Sequence, residues 1–118
     1  MRHPSPQRLI GRVERRAQAA AETYIGLVET GAGLVPAGGG AKEMLLRTMD
    51  ALPAGAEPLT ALRELFKTIS FATVSGCAEE ARRLGFLRPS DGITMNLDRL
   101  LADAKQVALE MAYGGYCP

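Results

Sequence analysis

Glu29 is the side chain in this sequence best placed to do chemistry. It closes an apolar run, Tyr24-Ile25-Gly26-Leu27-Val28, and leads into Thr30-Gly31-Ala32-Gly33-Leu34-Val35-Pro36-Ala37-Gly38-Gly39-Gly40. A carboxylic acid sheltered among apolar and small neighbours is held nearer its neutral form, and can then give and take a proton during a reaction. The competing reading is an ordinary exposed carboxylate at a strand end. The three glycines also have two readings. Their amides could face an anion at the start of a helix, or they could permit a tight positive-φ turn and close packing. Packing and the shaping of a pocket wall are favoured here, because no Gly-Lys-Ser/Thr follows to complete a phosphate-binding loop. Lys42, on the first helical turn, reads as a solvated surface charge.

Other reactive side chains are few. His3 is the sole histidine and lies in a Pro- and Arg-rich arm, which removes Ser-His and Cys-His catalysis within the chain. The ligand set of a zinc site is missing, so no metal is expected. Cys77, at a helix start, reads as a buried inert thiol. Two cysteines without an apolar leader suggest a reducing, cytoplasmic setting. No stretch approaches the roughly 20 apolar residues of a membrane span. A net charge of +1 gives no general attraction to nucleic acid or anionic lipid. The basic cluster Arg8, Arg12, Arg15 and Arg16 reads as a solvated face.

The elements that must position Glu29 form one modest α+β domain, predominantly helical with one to three short strands. Residues 1–15 are expected to form a disordered or helical arm, with helix propensity continuing over 9–21. Residues 24–28 read as a buried strand. A helix over 40–52 places Ala41, Leu45, Met49 and Leu52 on one stripe. A breaker-rich loop, 53–58, precedes a second helix whose Leu62, Leu65, Phe66 and Ile69 face a core. Residues 71–74 are expected to be extended. A third helix starts at Ser75 or Gly76 and stops at Gly85. Pro89 to Gly92 form a turn, and 93–95 a short strand. Asn96 caps a last helix, with Leu97, Leu100, Leu101, Ala104, Val107, Ala108 and Met111 at 3-and-4 spacing. That stripe is core in a closed domain; in an open one it is a surface for a partner or a second copy.

The block from Glu22 to Arg47, with Glu29, Gly33 and Pro36 in fixed register before a glycine-opened helix, resembles the second half of the crotonase (enoyl-CoA hydratase/isomerase) family. The likeness runs from about Arg16 to Tyr116. It continues through Ser75-Gly-Cys-Ala-Glu-Glu-Ala-Arg-Arg-Leu-Gly-Phe-Leu-Arg-Pro-Ser-Asp-Gly-Ile93. Within the family, the wording Ala21-Glu-Thr-Tyr-Ile-Gly-Leu-Val-Glu29 looks closest to the hydratase-like region of bacterial multifunctional 3-hydroxyacyl-CoA dehydrogenases of fatty-acid β-oxidation.

The resemblance implies the C-terminal portion of a β-β-α spiral over 16–118, truncated at both ends. It implies hydration of a 2-enoyl-CoA to a 3-hydroxyacyl-CoA in the complete protein, with Glu29 as one of two acid/base carboxylates. The backbone amide of Ala37 matches the position that helps to hold the catalytic water, while Gly33, Pro36 and Gly38 line the substrate loop. The family's second carboxylate and both oxyanion donors precede this segment, and residues 1–15 do not reproduce them. The chain alone is therefore expected to be inactive. A CoA thioester is the implied substrate and no cofactor is expected in this chain. NAD would belong to an absent domain, since no Gly-x-Gly-x-x-Gly follows a strand.

Overall fold

A computed structural model describes residues 16–115. The expected N-terminal arm, with His3, lies outside the described residues. Within them the chain is mostly helical, with two short parallel strands. In order they are β1 (Gln18–Ala20), a 3-10 turn (Glu29–Ala32), α1 (Gly40–Asp50), α2 (Pro58–Ser70), α3 (Ala78–Arg83), β2 (Gly92–Thr94), a second 3-10 turn (Leu97–Arg99) and α4 (Leu100–Tyr113).

β1 corrects the helix expected over 9–21. Its alanines favour a helix locally, but long-range bonds override that preference. Gln18 pairs with Gly92, Ala19 with Ile93 and Ala20 with Thr94. The Gly92 amide donates to the Ala17 carbonyl at 2.9 Å, and the Ala21 amide donates to that of Thr94 at 2.8 Å. Asp91, which is buried, accepts from the Ala17 and Arg88 amides at 2.8 and 2.6 Å. A Cβ at Gly92 would meet the Gln18 side-chain amide, which would have to turn aside. The Gln18 amide donates to Thr94 Oγ1 at 2.7 Å, and that hydroxyl donates to Asp103 of α4 at 2.8 Å. One polar chain thus ties both strands to the last helix.

Residues 24–28, with Ile25, Gly26 and Leu27 buried, form a single antiparallel bridge, Gly26 to Val74, rather than a full strand. Residues 71–74 are extended only at their end, since Ala72 adopts φ +50° in the turn leaving α2. The Ser75 amide donates to the Ile25 carbonyl at 2.9 Å, and the Ile25 amide donates to Ser75 Oγ at 3.0 Å. Because Ser75 is held there, α3 begins at Ala78 with Cys77 as its N-cap, later than expected. Gly85 ends it at φ +86°, and Asn96 caps the 3-10 turn that runs into α4 by accepting from the Asp98 amide.

The core is one cluster of Ala19, Ile25, Leu27, Met44, Ala78, Ala81, Phe86 and Leu87. The face of α1 that enters it carries Gly40, Glu43 and Met44. The expected stripe is therefore rotated: Leu45 and Met49 are exposed, and Ala41 and Leu52 are only half-buried. On α2, Leu62, Leu65 and Ile69 are half-buried, whereas Phe66 is 71% exposed.

Glu43 is buried beside three cations. Lys42 Nζ lies 3.0 Å from one of its oxygens and Arg88 3.8 Å from the other. The Lys42 hydrogen bond, helped by the charges of Lys42, Arg47 and Arg88, holds the carboxyl below its ordinary 4.5 although burial pulls the other way. Its pKa is lower folded than unfolded, so this stabilisation is complete above pH 4.5 and is lost as pH falls through the lowered folded value. Acid titration of unfolding should therefore show a slope below pH 4.5 that becomes shallower in Glu43→Gln. The effect is modest because Lys42 is largely exposed. An unchanged slope would remove Glu43 from this role.

Candidate functional site

The segment that presents Glu29 is anchored on both sides. Upstream, Ile25 and Leu27 are buried while Tyr24 and Val28 point outward. The chain then tightens into the 3-10 turn. Amides of Gly31, Gly33 and Leu34 donate to the carbonyls of Val28, Thr30 and Glu29 at 3.0, 3.0 and 2.9 Å. Gly33 closes the turn in the left-handed region at φ +75°. The Thr30 hydroxyl donates to the Ile69 carbonyl of α2 at 2.7 Å, fixing the turn against that helix.

Glu29 is half-buried at the head of this turn, and its Oε2 is fully buried with no hydrogen-bond partner among the described residues. A buried carboxylate oxygen left unpaired costs about 1–3 kcal/mol, more if charged, and so calls for an explanation. It can accept from, or as an acid donate to, a group brought in from outside. Around the turn the surface is apolar: Val28, Leu34 and Val35 are exposed.

Gly33, Ala37 and Gly38 are exposed, and Pro36 is half-buried. No hydrogen bond engages the Ala37 amide among the described residues, which leaves it available to a water or ligand. Gly38 and Gly39 adopt φ +71° and +89° before α1 starts at the buried Gly40. A Cβ at Gly38 would meet nothing within 4 Å, so backbone conformation rather than close packing requires glycine there. That corrects the packing expectation at Gly38. Lys42 is exposed and pairs with Glu43.

Two clefts lie elsewhere, around β1, α1 and the Phe86–Asp91 region, and Glu29 lines neither. Arg47 borders both, and no motif or spacing in the sequence marks it. Ser75 and Asp91 read from the sequence only as helix-start and turn residues. Both are buried tethers, a role set by partners distant in sequence. Among the described residues no group of three or more His, Cys, Asp or Glu side chains could hold a metal ion. Neither strand among the described residues runs through a glycine-rich turn into a helix. No helix among them is long and apolar enough to cross a membrane.

A probable 3-hydroxyacyl-CoA dehydrogenase of Bacillus subtilis (strain 168) is 46% identical to this chain over 103 residues. This chain is related to that protein. The match covers 87% of this chain and 13% of the relative, so the chain spans a small part of the relative's length. No family model matches the chain, and no solved structure matches it.

Proposed function

We propose that this chain contributes part of a site acting on CoA thioesters in fatty-acid β-oxidation, in an enoyl-CoA hydratase/isomerase-type region of a 3-hydroxyacyl-CoA dehydrogenase. The relationship to a protein of that name supports the metabolic setting. The observation that carries the site is the buried Oε2 of Glu29, without a hydrogen-bond partner among the described residues, at the head of a turn with an apolar surface.

In this reading Glu29 is a general acid/base, moving one proton between water and the α-carbon of a 2-enoyl thioester. The Ala37 amide holds the water, while Gly33, Pro36 and Gly38 keep the loop in the shape that presents it. The second carboxylate and the oxyanion donors come from further polypeptide, arranged on a crotonase-type spiral. A carboxylate alone leaves the developing enolate unstabilised, and one oxyanion donor is typically worth about 2.7–4 kcal/mol.

The purified chain should therefore show no hydration of a short 2-enoyl-CoA. Amide resonances over residues 29–40 should still shift on titration with that thioester. Shifts confined to other parts of the fold, or turnover that survives Glu29→Gln, would defeat the assignment.

A second reading, of a non-catalytic module, rests on α4. None of its residues is buried; Leu101 is 82% exposed, and Leu97 before it and Tyr113 at its end are exposed too. Here the stripe over 97–111 pairs with a second copy. Sedimentation at rising concentration separates the readings, since the first requires no self-association.

A further inference from the structure

Arg47 stands between two cavities. The inner one, about 160 Å³, is walled mainly by Ala19, Ala20, Ile25, Phe86, Leu87 and Leu100, with Asp91, already held by the Ala17 and Arg88 amides, also on its lining. The outer cleft, about 380 Å³, lies between the C-terminal half of α1 and the end of α3. Arg47, Leu87 and Arg88 border both. The lining of the outer cleft carries four guanidinium groups, of Arg47, Arg82, Arg83 and Arg88, and no carboxylate.

Charge accounting separates these four. Arg82 pairs with Glu79 at 2.8 Å, Arg83 with Glu80 at 2.9 Å and Arg88 with Glu43 at 3.8 Å. Arg47 meets no carboxylate within ion-pair distance among the described residues. Its Nη1 donates only to the carbonyls of Phe86 and Gly85, at 2.8 and 3.3 Å, and its Nε is buried without a partner. Burial first, and then the neighbouring Arg88, lowers its pKa. The charges of Asp91 and Glu43 act on it from beyond ion-pair distance, so its direct partners among the described residues are carbonyl dipoles alone.

We infer that these cavities bind a small amphipathic monoanion, a short aliphatic carboxylate, with its chain in the inner cavity and its carboxylate on Arg47. A guanidinium with no carboxylate at ion-pair distance among the described residues can take one, and its planar fork matches that group. The apolar inner wall matches an alkyl chain, and the inner volume, well below that of a drug-sized pocket, restricts the ligand to a small one. The turn bearing Glu29 lines neither cavity, so this site does not rest on the thioester reading.

A rival role for Arg47 is structural. It lies in the last turn of α1, where a cation is favoured, and it tethers the chain after α3. The experiment separates the two. Hexanoate titrated into the full chain should give saturable shifts at Ala19, Ile25, Phe86 and Leu87, with hexanamide and inorganic phosphate at least about tenfold weaker. Arg47→Met should abolish binding and Arg47→Lys should retain part of it. Ala20→Leu, which narrows the inner cavity without touching the tether, should also abolish it. Equal affinity for hexanamide, full affinity in Ala20→Leu, or no saturable shift with hexanoate would overturn the inference. The amide and Ala20→Leu arms decide it even if Arg47→Met fails to fold.

Discussion

Met44→Ala is expected to lower the unfolding free energy by about 2–5 kcal/mol, the range for truncating a buried Met or Leu where the surroundings collapse only partly. Met44 is 1% exposed, and three of its seven partners in the core cluster are alanines. Such a core has few large side chains to move into the space. Against a typical domain stability of about 5–15 kcal/mol, the loss would leave a substantial unfolded fraction under mild denaturant. For a domain near this size each kcal/mol is worth roughly 4–8 °C, so the midpoint should fall by about 10 °C or more. Leu45→Ala, the adjacent residue on the exposed side of α1, should cost less than about 1 kcal/mol. Chemical denaturation of the pair measures which face of α1 is inward. Equal losses would mean that the helix is rotated from the orientation described here.

Gly26→Ala is expected to cost at least about 1–3 kcal/mol, because the added methyl group meets backbone. Its Cβ would stand 2.7 Å from the Thr73 carbonyl oxygen and 3.1 Å from Val74 Cα, with Val74 Cγ2 at 2.9 Å. The side chain could turn away, but the backbone atoms cannot move without parting the two segments. The Gly26–Val74 bridge and the paired bonds of Ile25 with Ser75 would loosen together. Those contacts hold the segment that delivers Glu29, so the damage should spread to the turn. Hydrogen exchange tests this directly: the Ser75 amide, which donates to the Ile25 carbonyl, should lose protection. Unchanged protection and a stability within about 0.5 kcal/mol of the parent would show that the segments are not apposed.

Features with a local cause were legible in the sequence. Gly85 stops α3 because only a residue at ease in the left-handed region fits there, and Asn96 carries an oxygen at the right offset for the Asp98 amide. The breakers of the loop expected over 53–58 were legible too, although Pro58 itself opens α2 as its first residue. Glu29 was singled out from its apolar neighbours, and the related dehydrogenase supports the metabolic setting that the resemblance implied.

Tertiary contacts decided what local preference could not. Residues 18–20 favour a helix by composition, yet they form a strand because Asp91, Gly92 and Thr94 supply its bonds from far along the chain. The inward face of α1 was misread because hydrophobic spacing marks stripes without saying which one meets a neighbour. Glu43 and Met44 face inward, whereas Leu45 and Met49 do not. The same holds for the half-buried guanidinium of Arg47 and for the Glu29 oxygen without a partner among the described residues. Whether a charge or a lone pair is satisfied depends on which groups folding brings within about 3 Å, and sequence spacing does not report that distance.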